Sequence, residues 1–139
     1  MAATDLARTA IRFVNEINRH DVEAIGALLA HDHVLVDPLG HELRGPERAR
    51  EAWAALFAKF PEYRISIEDT LEAGPVVGLI GSVSGSLPTD PTAPASHRWR
   101  LPAAWKAVVR DGRIERWQMY ADQDPIRKMA PETSAAPAH

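Results

Sequence analysis

Few residues in this sequence are placed to do chemistry, and the clearest is Asp37 in Val36-Asp37-Pro38-Leu39-Gly40. An aspartate that ends an apolar run just before Pro and Gly is first of all a turn former, because its side chain hydrogen-bonds the backbone two residues on. The same carboxylate facing an apolar pocket would be a general base. Partial desolvation disfavours a charged carboxylate and makes it a stronger proton acceptor near neutral pH. A second acid, Asp122, closes Trp117-Gln118-Met119-Tyr120-Ala121-Asp122. It reads either as a pocket-lining carboxylate or as a solvated group at a strand end. Trp53, Trp99, Trp105 and Trp117 each bring a large apolar surface and one N–H that needs a partner when buried. They suit the walls of a cavity for a flat or polycyclic molecule, and they also suit an ordinary core.

Other chemistries find no support. His31-Asp32-His33 puts two imidazoles on one face of a strand, but a metal site needs three or four convergent ligands and no further cluster accompanies it. No metal and no cofactor are expected. Gly78, Gly81 and Gly85 lack the Gly-Lys-Ser/Thr of a phosphate loop, and there is no Gly-x-Ser-x-Gly elbow. The absence of cysteine removes disulfides, thiolate ligands and a cysteine nucleophile.

The elements that must position these residues follow from periodicity. Leu6, Ala10, Phe13, Val14 and Ile17 recur at helical spacing. Asp21 is a good N-cap for a second helix carrying Val22, Ile25, Leu28 and Leu29. His33 to Asp37 reads as a short strand, and Gly45-Pro46-Glu47 opens a third helix whose stripe is Ala49, Trp53, Leu56, Phe57 and Phe60. The period then changes to two. Tyr63 to Glu68 and Val76 to Leu87 read as strands, and Leu87 to Ala95, with its three prolines, as an exposed loop. Trp99 to Val109 alternates through a long strand, and Asp111-Gly112 turns the chain into an antiparallel return over Arg113 to Ala121.

Three striped helices must bury themselves against one face of that meander, which predicts an α+β two-layer domain. The expected form is a cone-shaped domain: three N-terminal helices packed on a curved, mainly antiparallel β-sheet that encloses a pocket at its open end. One domain is expected over residues 1–130, with 131–139 a disordered tail. The 139 residues carry a net charge of −3 with acids and bases interspersed, so no basic footprint for nucleic acid exists. No apolar run approaches the roughly 20 residues of a membrane span and no secretory signal opens the chain, so a cytoplasmic protein without membrane contact is the expectation.

Three segments resemble the nuclear-transport-factor-2-like superfamily, whose members include ketosteroid isomerase, limonene epoxide hydrolase and the SnoaL-like polyketide cyclases. Phe13 to Ile25 is similar to the first helix and the capped turn after it. Val36 to Gly40, with Arg44-Gly45 beyond, resembles the ketosteroid isomerase segment that bears the general base. Asp111 to Ile114 with Trp117 to Asp122 resembles the closing hairpin. The resemblance covers roughly residues 6 to 128. It implies Asp37 as the base that moves a proton between carbons, beside a tyrosine and a protonated aspartic acid. Those two oxyanion donors fall on Phe13 and near Ala104 or Trp105, none of which is an acid or a phenol, and losing one such donor typically costs about 100- to 1,000-fold in rate. The epoxide hydrolase likeness rests on Asp122. Its Arg-x-Asp partner is missing from Val76 to Leu87.

The resemblance therefore implies a cofactor-free isomerase, cyclase or lyase acting on an apolar carbonyl compound, with Asp37 and Asp122 as catalytic candidates. Phe13, Ile17, Trp53, Phe57, Tyr63, Trp99, Trp105, Trp117 and Tyr120 are the candidate ligand-binding residues. A non-catalytic module that sequesters a hydrophobic metabolite is the alternative, and an epoxide-hydrolase-like enzyme the weaker one. The two comparisons put different parities of the last strand inward: Trp117, Met119 and Ala121, or Tyr120 and Asp122. The expected partners are one apolar ligand and a second copy of the chain, a homodimer through the outward residues Arg98, Arg100, Lys106, Arg116 and Gln118.

Overall fold

The computed structural model describes residues 4–86 and 98–129. The proline-rich segment expected as a loop and the expected tail over 131–139 therefore lie outside the described residues.

α1 (Asp5–Asn18) starts where Thr4 accepts a hydrogen bond from the Ala7 amide, and it buries Ala7, Ala10, Phe13, Val14 and Ile17. Its C-terminus is fastened to the sheet by one amide. Asn18 Nδ2 donates to the Ile65 carbonyl (2.9 Å) and Asn18 Oδ1 accepts from the Ile65 amide (2.8 Å), so this side chain pairs with the strand edge as a neighbouring strand would. α2 (Val22–Ala27) is capped by Asp21 as expected but is short, and Leu29 already belongs to β1 (Leu29–Val36). The chain then turns at residues 37–41 into β2 (Glu42–Arg44), a strand that the periodicity did not announce. α3 (Pro46–Lys59) has its proline in the first turn and buries Ala49, Trp53 and Phe57.

β3 (Arg64–Ala73), β4 (Val76–Ser86), β5 (Arg98–Arg110) and β6 (Arg113–Tyr120) follow, and α4 (Asp124–Met129) comes after β6, where no helix was expected. The six strands form one sheet in the order β2-β1-β6-β5-β4-β3. Every pairing is antiparallel except β1 with β6. Asp111 and Gly112 both take positive φ (54° and 72°), the requirement of a two-residue turn whose twist matches its strands. Gly81 permits the irregularity between Ile67 and Asp69 of β3. A Cβ there would lie 1.9 Å from the Ser66 carbonyl oxygen.

α1 lies across the inner faces of β3, β4, β5 and β6, and α3 packs on β1 and β2. The core thus sits between one sheet face and the helices, the α+β arrangement expected. Among the described residues no helix is long and apolar enough to cross a membrane.

Candidate functional site

β5 turns Trp99, Leu101, Ala103, Trp105, Ala107 and Val109 inward, because alternate residues of a strand share a face. β6 does the same with Ile114 and Trp117, once a bulge opposite Val108 and Val109 has shifted its phase. Phe13 and Ile17 from α1, Trp53 and Phe57 from α3, and Tyr63 before β3 meet them, and all are buried. Their rings form a continuous column. Trp105 stacks on Trp117 at 6.3 Å between ring centres, and Trp117 meets Phe13 at 4.8 Å. Phe13 meets Trp53 at 6.1 Å, and Trp53 meets Phe57 at 5.8 Å. Phe57 then contacts Tyr63 at 6.3 Å, and Tyr63 contacts Trp99 at 6.4 Å. The sequence brings eight of the nine expected ligand-binding residues into one buried cluster.

The polar atoms of that cluster are its unusual part. Nε1 of Trp53, Trp99 and Trp105 is buried in each case without a hydrogen-bond partner. A buried donor left unpaired costs about 1–3 kcal/mol, so three together are an expense a folded core seldom carries without use. Burial raises the pKa of the Tyr63 phenol, which keeps it neutral.

Tyr120 is the exception. It is 49% exposed and pairs with the outward Ala104, so the parity with Trp117 and Met119 inward is the one adopted. Asp122 is exposed as well, and its Oδ1 accepts the Asp124 amide at 3.0 Å ahead of α4. It stands as a turn former outside the aromatic cluster.

Asp37 is buried, its side chain 5% exposed, but the carboxylate is turned onto its own hairpin. Oδ1 accepts the amides of Leu39 (2.8 Å) and His41 (2.9 Å), and Oδ2 accepts Nδ1–H of His41 (3.0 Å). Gly40, at φ 89°, closes the turn through its amide to the Asp37 carbonyl. The turn-forming reading of Asp37 describes these contacts, and the carboxylate is buried within them. The pairing of Val36 with Gln118 places Asp37 one step past the last registered pair, level with Met119. Met119 in turn pairs with Trp105. Trp105, Met119 and Asp37 thus follow one row across three strands, about 10 Å from first to last by the usual strand spacing.

Neither His41 nor His33 is among the candidate site residues read from the sequence. His33 is fully buried, and its Nδ1 bonds the Ile114 carbonyl at 2.8 Å. Desolvation lowers its pKa below the usual 6.5. A cleft of about 360 Å³ opens elsewhere, between Arg12 and Glu16 of α1, Ala24, Ala27 and Leu28 around α2, and the Asp111–Arg113 turn. None of the expected ligand-binding residues borders it. No cluster of metal-ligating side chains occurs among the described residues.

The model of the SnoaL-like domain matches residues 10–117, most of the chain. The protein belongs to the SnoaL-like family. No curated protein matches the sequence. Among solved structures, one named as a SnoaL-like polyketide cyclase from Shewanella putrefaciens superposes with a TM-score of 0.80 at 15% identity, covering 94% of this chain and 99% of that one. A protein of ketosteroid isomerase-like fold from Catenulispora acidiphila, in complex with trimethylamine, gives 0.77 at 20% identity over 88% and 92%. An LEH-like epoxide hydrolase from M. tuberculosis gives 0.75 at 19% identity over 92% and 90%. At these identities the likeness establishes the fold: a SnoaL-like domain with an open, mainly antiparallel six-stranded sheet and helices on it.

Proposed function

We propose that this SnoaL-like domain binds a flat, apolar carbonyl compound against the inner face of its sheet and moves a proton on it without a cofactor, as an isomerase, cyclase or lyase would. The observation that carries the reading is the set of three buried indole N–H groups without partners, on Trp53, Trp99 and Trp105. A ligand that offers acceptors and no charge suits such donors, because the surrounding surface is aromatic and aliphatic.

Trp105 carries particular weight. It stands where the ketosteroid isomerase comparison asked for a hydrogen-bonding acid, and an indole N–H can donate to a developing oxyanion without the need to stay protonated. At the other end of the same row stands the Asp37 carboxylate. The backbones that carry this donor and this base stand about 10 Å apart by strand spacing, room for a small ketone between their side chains. The absence of any phenol at Phe13 favours the second reading, a module that binds such a compound and does not transform it.

We also infer a homodimer through the outer sheet face, where basic Arg100 and Lys106 on β5 and the exposed acid Asp69 on β3 face outward on either side of β4. A two-fold related copy would set acids over bases.

Trp105→Phe tests the ligand reading, since it removes the N–H and keeps the ring. Native mass spectrometry of the purified protein identifies any co-purifying molecule. Affinity for it should fall by about 2- to 10-fold in the variant, the value of one net hydrogen bond. Unchanged affinity would mean that this indole donor does not contact the ligand.

A further inference from the structure

We propose that the proton-transferring group of this domain is the imidazole of His41, held and oriented by Asp37, which acts as a positioning residue. The inference rests on the ligand reading above and changes which atom does the work.

The geometry is that of a carboxylate–imidazole pair. Asp37 Oδ2 is an acceptor, so at 3.0 Å the His41 Nδ1 must carry the hydrogen between them. That fixes the neutral tautomer and leaves the lone pair on Nε2. The two partners differ in access: the Asp37 side chain is 5% exposed and the His41 side chain 72%. A molecule arriving from outside therefore meets the imidazole before it meets the carboxylate.

Asp37 itself is poorly arranged to accept a proton. Its two oxygens already take three N–H donors, those of Leu39, His41 and the His41 ring, and those bonds stabilise the ionised form. Protonating it would weaken contacts that also hold the 37–41 turn together. Protonating His41 costs none of them, and the imidazolium that forms sits beside an anion. A buried carboxylate that accepts Nδ1–H while Nε2 points outward is the division of labour found wherever an aspartate orients a histidine base.

Position agrees. Because β1 and β6 run parallel, the turn bearing the pair stands at the end of the sheet where β6 delivers Met119 and Ala121, both packed against the core. Ile126 of α4 packs against that core too. The pair therefore stands at the same end of the sheet as Met119 and Ala121.

The step is a balanced proton transfer. The C–H bond next to the ligand's carbonyl breaks and the proton passes to His41 Nε2. The electron pair moves into the carbonyl, giving an enolate whose oxygen accepts from an indole N–H. The imidazolium then returns a proton to carbon, and no oxidant or reductant takes part.

The test uses β-tetralone, a flat ketone with exchangeable C–H bonds flanking its carbonyl, in D2O. Tryptophan fluorescence reads binding, and proton NMR reads deuterium incorporation. The full-length protein should quench with the ketone and accelerate exchange over buffer. His41→Ala should bind it equally well, lose about 100-fold of the acceleration, and recover part of it when imidazole is added. Asp37→Asn should lose less than His41→Ala and show no rescue by imidazole, because its own histidine remains but is misaligned. Normal exchange in His41→Ala with none in Asp37→Asn would make Asp37 the direct base and overturn the inference, while the ligand reading survives. Binding without exchange in the parent protein would overturn it and leave a binding module. No quenching at all would remove the ligand reading and the histidine's task with it.

Discussion

The two faces of the sheet are built from the same strands and solve opposite problems. Inward residues of β5 and β6 are aromatic or aliphatic, and together with Trp53 of α3 they carry three indole N–H groups that the protein itself does not satisfy. On the outer face, at β2, β1 and β6, polar side chains pair with one another. Glu42 accepts from Arg44 at 2.6 Å and lies 3.5 Å from Arg116, which also donates to Gln118 at 3.2 Å. Val34 and Val36 are nearly buried although they stand apart from the main core, because their registered neighbours are these long side chains. The apolar stems of such residues cover valine while their charged ends reach water. The comparison teaches where to look for a guest. The face whose buried donors are unpaired is the one complementary to a small guest.

The largest effect that could break this contrast is in packing. Trp53→Ala should cost about 3–5 kcal/mol in denaturant melts, because it empties the centre of the ring column. Tyr120→Ala on the outer face should cost about 0.5 kcal/mol or less. Similar losses at both positions would mean that the helices cover less of the core than α1 and α3 indicate.

A smaller effect concerns a buried polar group that does have a partner. Desolvation lowers the pKa of His33 below 6.5, so the folded chain resists a proton that the unfolded chain accepts. Its stability is therefore at its full value above pH 6.5 and falls as the pH drops from there towards the folded value. His33→Leu should flatten that decline relative to the parent protein in melts across this window. An unchanged slope would show that His33 is protonated in the native state.

The smallest effect per residue is expected at the outer face. Light scattering at micromolar concentration should show a dimer, and Lys106→Glu should weaken it without altering the melt of the monomer. A monomeric parent protein would leave the outer face complete by itself.

Much of this was legible in the residues. The apolar stripe of α1, the proline at the start of α3, the alternation of β5 and the Asp111-Gly112 turn each follow from a local rule, and local rules decide these elements. What escaped was set by pairing. β2 is three residues long and exists because residues 37–41 fold back on β1. The parity of β6 depends on a bulge opposite Val108 and Val109 that no period reveals. For the candidate site, the tryptophans were found by type, while their unpaired N–H groups belong to tertiary geometry. Asp37 was recognised, but its hold on His41 needed the turn: two residues four apart in a hairpin meet only once Gly40 has taken a positive φ. The amphipathic pattern gave no hint that Asn18 would serve as a surrogate strand for Ile65.

The position of β6 has a consequence for how the chain assembles during synthesis. It inserts between β1 and β5, and Ile114 alone donates to the Leu28 carbonyl at 2.8 Å and accepts from His33 at 2.8 Å. Until residues 113–120 have left the ribosome, the N-terminal block of α1, α2, β1, β2 and α3 and the later β3–β4–β5 meander lack the strand that joins them. Each then presents an unpaired edge, the kind of surface that invites aggregation in nascent chains. The sheet closes from its middle, late, with a strand whose partner was made some eighty residues earlier, and slow, non-local closure of this sort sets the folding time.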